Sequence, residues 1–219
     1  ADTVFFTNSG AEAVELALKT AHLASGRPGV VAFDGGYHGT SLGALRATSR
    51  PAFRAPFEDA LAPATLRVPF PDRYRSSYRV SAASVGAVCL EAAIARIDAW
   101  IGELSKPRLG AVIVEPVQGR EGVVVPPRGW LAALGRAARE RGLLVIADEI
   151  LTGGGRTGPM WASGPLDPDL ALPALDDLRA AIQSGNRAAA ANAADRLGKL
   201  ENAASDRYAR QIGAESCAA

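Results

Sequence analysis

The sequence predicts an α/β protein: a three-layer sandwich around a mainly parallel sheet, with a helical tail at its C-terminal end. Three observations predict it. Five short apolar runs bounded by turn residues read as buried strands. Helical patterns fall between them, the rhythm of βαβ units. Glycines, acids and aromatic residues cluster where those runs end, and open α/β sheets meet ligands at the carboxyl ends of their strands.

The runs are residues 4–7, 30–34, 65–68, 111–115 and 143–147, giving a sheet of at least five strands. The strongest helical patterns are residues 11–25, 83–104 and 128–141. The proline-rich stretch 51–71 reads mainly as a surface loop around the third run. Beyond Trp161 the character changes. A short connector leads into an alanine-rich segment, residues 174–219, in which Leu175, Leu178 and Ile182, then Leu197 and Leu200, recur at helical spacing. Asp176 is placed to cap the first helix, and Ser184-Gly185-Asn186 breaks the segment. The sequence thus divides at residues 1–165 and 166–219, the second part a helical tail of unknown role.

With 219 residues, 48% hydrophobic and 21% charged, the chain has the profile of a globular protein able to bury a core. A net charge of +1 implies no polyanionic partner, and no basic cluster interleaved with aromatics points to nucleic acid. No apolar run is long enough to span a bilayer. Cys89 and Cys217 share no metal-ligand spacing, so no metal is predicted and a reducing, cytoplasmic location is expected. The opening residues run almost directly into a strand pattern, as the middle of a longer protein would.

Four stretches carry chemistry. In T-N-S-G-A-E-A-V-E, residues 7–15, a helix starts right after a turn. Its exposed N–H groups and dipole suit a phosphate. The alternative is an ordinary cap, with Ser9 and Glu12 forming a capping box. In F-D-G-G-Y-H-G-T, residues 33–40, glycines permit close approach of a ligand while Tyr37 and His38 offer a flat ring and a polar ring. Packing and loop hydrogen bonding are the alternatives for these two. In V-I-V-E-P-V-Q-G-R-E-G, residues 112–122, Glu115 ends a buried strand and must be paired or meet a ligand, with Gln118 beside it. Last, L-L-V-I-A-D-E-I-L-T-G-G-G-R-T-G-P-M, residues 143–160, sets Asp148 at a strand end, with Glu149 next to it as a supporting acid. Asp148 can hold a protonated ring nitrogen or serve as a cap or ion-pair partner. Arg156 can bind an anion or pin its loop.

In this order, N-S-G-A-E-A-V-E, G-Y-H-G, E-P-V-Q-G and A-D-E-I-L-T-G-G-G-R-T-G resemble the class III aminotransferases, pyridoxal-phosphate enzymes of fold type I, over about residues 3–162. The resemblance implies that residues 1–165 are part of the family's cofactor-binding large domain. It implies a phosphate cup at Gly10 and Ala11, supported by Ser9. Tyr37 would stack on the pyridine ring with His38 beside it, Asp148 would partner the ring nitrogen, and Ile150 would pack on the opposite face. Glu115 and Gln118 would shape the floor. The implied activity is amino-group transfer from an amino donor to a keto acid, in a homodimer.

The chain departs from this pattern in one large respect. The family's covalent anchor, a lysine about thirty residues after the ring-nitrogen aspartate, has no counterpart in L-P-A-L-D-D-L-R-A-A-I, and the chain's three lysines are Lys19, Lys106 and Lys199. Lys199, in L-G-K-L-E-N of the tail, is a remote candidate for that role. Leu151 replaces a polar residue that often reaches the cofactor. The N-terminal arm and small domain are also outside the resemblance. Three readings follow: an aminotransferase, truncated or impaired, that needs residues beyond this chain; a non-catalytic pyridoxal-phosphate-binding module; or an inert, aggregation-prone fragment with open sheet edges.

Overall fold

The computed structural model describes residues 4–61, 65–75, 78–103, 105–106 and 108–164. The chain divides into two units, Thr7–Leu166 and Ala1–Phe6 with Asp167–Ala219. All the elements named here belong to the first. The predicted tail helices and Lys199 lie outside the described residues.

In chain order the elements are α1 (Gly10–Ser25), β1 (Gly29–Phe33), α2 (Leu42–Ala47), α3 (Pro51–Arg54), a 3-10 helix (Ala55–Ala60), β2 (Thr65–Val68), α4 (Val85–Gly102), β3 (Leu109–Val114), α5 (Trp130–Glu140) and β4 (Leu144–Ala147). The strands form one sheet in the order β2-β1-β3-β4, and every neighbouring pair is parallel. The α/β expectation therefore holds. The first predicted strand does not: residues 4–7 are irregular, and the sheet has four strands among the described residues rather than five. Apolar, β-favouring side chains make a strand only where a neighbour completes the hydrogen-bond ladder, and no described segment pairs with this run.

Strand alternation sorts the core into two layers. Val30, Ala32 and Ile113 face α1 and α2, packing with Val14, Leu18, Ala44 and Ala47. Val31, Phe33, Leu66, Val68, Val112 and Val114 face α4 and α5. There Phe33, Phe70 and Trp130 form a three-way edge-to-face cluster with centroids 5.1–5.8 Å apart. Such contacts add about 0.5–1.5 kcal/mol each beyond their buried area.

The stretch read as a loop coils partly into α3 and the 3-10 helix, both of which have proline in the first turn, where its fixed φ is already helical. Short α2 is capped from a distance. The Glu15 carboxylate of α1 accepts from the Gly43 and Ala44 N–H groups at 2.7 and 3.1 Å. At its other end the Arg67 guanidinium donates to the carbonyls of Arg46, Ala47 and Thr48 at 2.6–3.2 Å. Burial, with help from nearby Arg54, pulls the Arg67 pKa down to about 10, which still leaves it charged at neutral pH. Among the described residues no helix is long and apolar enough to cross a membrane, and no group of three or more His, Cys, Asp or Glu could hold a metal.

The chain passes from β1 out to β2, then returns across to β3, so its winding direction reverses between β1 and β3. The carboxyl ends of these two strands, with that of β4 beside them, form the crevice where such sheets take ligands.

Candidate functional site

Three of the four chemical stretches leave the sheet at that crevice. Asp34 to His38 follow β1, Glu115 to Gln118 follow β3, and Asp148 to Ile150 follow β4. The fourth stretch opens α1.

At the centre, His38 Nδ1 lies 2.7 Å from Asp148 Oδ2, with the two residues 2% and 6% exposed. The Asp148 N–H continues the sheet by donating to the Val114 carbonyl at 2.9 Å, and the other carboxylate oxygen accepts from the Ile150 N–H at 3.2 Å. The backbone thus fixes where the carboxylate points. His38 is fixed by Thr48, a residue that sequence reasoning missed. The buried Thr48 hydroxyl accepts from the His38 N–H at 2.9 Å and donates to the Gly39 carbonyl at 2.8 Å. No motif spacing marks Thr48, because its role depends on α2 folding back to the loop.

Glu115 is buried and binds two loops at once. Its Oε1 accepts from the Tyr37 N–H at 2.8 Å and its Oε2 from the Gly119 N–H at 3.1 Å. Gln118 is also buried and donates from Nε2 to the Asp34 carbonyl at 2.9 Å, while its backbone pairs with Val124. The Tyr37 ring is half-buried, edge-on to Phe53 at 5.9 Å, with the Arg120 guanidinium 4.6 Å from its centroid. Arg120 was a second omission, although its place directly after E-P-V-Q-G was a usable signal.

At the start of α1 the capping alternative is realised in part. Ser9 Oγ accepts from the Glu12 N–H at 3.2 Å, and the Glu12 carboxylate reaches the N–H of Asn8 at 2.8 Å rather than that of Ser9. The Gly10 and Ala11 N–H groups make no hydrogen bond among the described residues. Ile150 meets this turn, since a Cβ on Gly10 would stand 2.8 Å from Ile150 Cδ1. Gly10, Ala11, Tyr37, His38, Asp148 and Ile150 are therefore all at or beside the crevice.

Glu149 faces away from it. Its carboxylate accepts from the Thr152 hydroxyl and from the Ser163 N–H, tying down the glycine-rich turn. Arg156 is exposed on that turn without a hydrogen bond or ion pair among the described residues. A cavity of about 580 Å³ lies away from the crevice, between α1 and α2, and one of about 300 Å³ adjoins it, lined by Asp34, Gly35 and Gln118; neither is lined by Tyr37, His38 or Asp148.

Burial raises the Glu115 pKa above its ordinary 4.5; the Tyr37 and Gly119 N–H groups and His38 pull against this, and Asp148 adds to it. The folded state therefore holds this proton more tightly than the unfolded chain. Glu115 contributes most stability below pH 4.5, and that contribution is lost as pH rises through the folded pKa. Glu115→Gln removes the titration but turns an amide N–H₂ toward one of the two backbone donors, costing about 1–3 kcal/mol. The stability gap between wild type and this variant should narrow from pH 4 toward neutrality in urea denaturation. A gap that widens over that range would contradict the raised pKa.

Comparison with known proteins identifies the family. The sequence pattern described as aminotransferase class-III matches residues 1–179. The chain belongs to the class-III aminotransferase family. An acetylornithine aminotransferase from Methanopyrus kandleri is 45% identical over 159 residues, 73% of this chain and 34% of the relative. The aminotransferase PigE of a Serratia species is 36% identical over 171 residues, 77% of this chain and 17% of that one. The chain thus spans about a third or less of the length of these relatives. Among solved structures, an (S)-enantioselective omega-transaminase from Thermomicrobium roseum superposes with TM-score 0.63 at 34% identity, covering 71% of this chain and 35% of that one. A taurine:2-oxoglutarate aminotransferase from Bifidobacterium kashiwanohense, solved with pyridoxal phosphate and glutamate, gives TM-score 0.63 at 32% identity over 72% and 35%.

Proposed function

We propose that this chain carries the non-covalent half of a class-III aminotransferase site, holding pyridoxal phosphate at the β1, β3 and β4 ends. Amino-group transfer from an amino donor to a keto acid is then the activity of the assembly it serves. One observation carries the reading: the buried 2.7 Å contact between His38 and Asp148 at the end of β4. The Asp148 carboxylate accepts from His38 and from Ile150 and retains lone pairs, because an ionised carboxylate offers about four acceptor sites. A ring N–H⁺ is the donor that fits. The Gly10 and Ala11 N–H groups at the positive end of α1 suit a phosphate. The donor set therefore fits the cofactor.

The cofactor, when bound, supplies an electron sink for bonds breaking at the amine-bearing carbon. Asp148 holds the proton on the ring nitrogen, and His38 keeps the carboxylate oriented. Tyr37 and Ile150 would flank the ring. Glu115 fixes the loop that bears Tyr37. The missing part is an amine to anchor the cofactor and move the proton, absent from the expected window after Asp148. That absence favours a second reading, a module that binds the cofactor reversibly without turnover. Ile150, Leu151, Met160 and Trp161 are exposed in the segment that follows β4 and support a homodimer interface there. Sedimentation reads this directly, and a monomer at every concentration removes it.

The decisive experiment titrates the whole chain with pyridoxal phosphate, follows absorbance, then reduces with borohydride and measures intact mass. Saturable binding is expected. A single adduct mapping to Lys199 makes this chain a complete aminotransferase site, whereas binding without an adduct supports the reversible module. No binding at all sinks both readings.

A further inference from the structure

Arg50, Arg54, Arg75 and Arg120 stand on or beside Phe53 and Glu121, and three of them have acidic partners. Arg50 meets Glu121 at 3.1 Å, Arg54 meets Glu58 at 2.9 Å, and Arg75 meets Asp72 at 3.1 Å. Arg120 differs. Its guanidinium lies 4.6 Å from the Tyr37 ring centroid and 5.3 Å from that of Phe53, and it meets no carboxylate among the described residues. Because the two rings already pack against each other, the guanidinium rests on a preassembled aromatic seat. Stacking engages the face of a guanidinium and leaves its N–H donors free along the edge.

The position is built by the site itself. One Glu115 carboxylate holds the Tyr37 N–H and the Gly119 N–H, fixing both the ring and the residue just before Arg120. On its other side Gly119 abuts Leu151, in the turn that follows Asp148. Arg120 is therefore placed by the same carboxylate that orders the crevice.

We propose that Arg120 recognises a carboxylate on the substrate, so that the site prefers amino and keto acids to neutral amines and carbonyl compounds. The proposal rests on the crevice being the pyridoxal-phosphate site. A planar fork accepts a carboxylate through two parallel hydrogen bonds, and a guanidinium already ordered by stacking loses less freedom in forming them. A phosphate has similar chemistry, so the cofactor's own phosphate is the competing source of the anion.

The test uses calorimetry on the full chain, with and without pyridoxal phosphate, for wild type, Arg120→Ala and Arg120→Lys. The probes are 2-oxoglutarate, its neutral dimethyl ester and inorganic phosphate. Wild type should bind 2-oxoglutarate and discriminate against the diester. Arg120→Ala should weaken 2-oxoglutarate by roughly ten- to a hundred-fold, with Arg120→Lys recovering only part, while pyridoxal-phosphate affinity falls by no more than the few-fold that loss of the contact with the Tyr37 ring implies. The proposal is overturned if wild type binds no 2-oxoglutarate, or if Arg120→Ala leaves that binding unaltered. It is also overturned if phosphate and pyridoxal phosphate weaken as much as 2-oxoglutarate, which would assign the guanidinium to the cofactor's phosphate. Arg120-dependent binding of 2-oxoglutarate by a chain that does not take up pyridoxal phosphate would remove the cofactor reading and leave this one standing.

Discussion

Asp148→Ala is expected to lower the unfolding free energy by about 3–5 kcal/mol, a large part of the 5–15 kcal/mol typical of a domain. The size follows from burial. His38 and Asp148 are almost fully covered and 2.7 Å apart, so removing the carboxylate strands the ring nitrogen where water does not reach it. His38→Ala strands the carboxylate in the same way. The double variant leaves neither group unpaired, and its cost should fall well below the sum of the two. Asp148→Asn separates shape from charge. It keeps an acceptor for the Ile150 N–H and should cost only about 1–3 kcal/mol, yet it no longer stabilises a proton on a bound ring nitrogen. Pyridoxal-phosphate affinity should then fall by more than tenfold in both Asp148 variants, although their stabilities differ. Urea denaturation and absorbance titration read the two effects independently. If affinity followed stability across the series, Asp148 would be a structural acid only.

The layered core was legible because burial on a parallel sheet leaves a simple trace. Runs such as V-V-A-F and A-V-I-V are apolar on both faces, and the helices between them repeat at helical spacing. The acids at strand ends were legible for the opposite reason: Glu115 and Asp148 break an apolar run where burial makes a charge costly, so each had to have partners. Thr48 and α2 were not legible. Both ends of α2 are satisfied by side chains remote in sequence, Glu15 and Arg67, and no local signal encodes a cap supplied by another element. Residues 4–7 failed in the converse way, since propensity describes the run while the ladder depends on a partner.

These remote contacts also order the crevice. Arg67 holds the end of α2, including the Thr48 carbonyl. Thr48 holds the His38 N–H, and His38 meets Asp148. On the other side, Glu115 ties the Tyr37 loop to Gly119. Each link uses a buried acceptor or donor that would be costly to leave unpaired, so the fold's own demand for satisfied polar groups sets the geometry.

Gly39→Ala should damage the site from its far side, through α1. Gly39 has φ +126°, a conformation that side chains rarely adopt, and a Cβ there would stand 2.7 Å from the Ala11 Cβ and 3.0 Å from the Ala11 Cα. Backbone strain and overpacking each cost about 1–3 kcal/mol. The clash is relieved by moving the first turn of α1 away from the loop that bears Tyr37 and His38, because the other close neighbour, Ala44, belongs to the capped helix α2. The Gly10 and Ala11 N–H groups move with that turn, while Asp148 stays at the end of β4. A phosphate bound at α1 therefore loses its alignment with a ring held by Asp148. In Gly39→Ala the affinity for pyridoxal phosphate should drop sharply, and the affinity for pyridoxal, which has no phosphate, should change little. The ratio of the two affinities is the measurement. A ratio unchanged from wild type would mean that the start of α1 does not hold the phosphate, however well its free amides suit one.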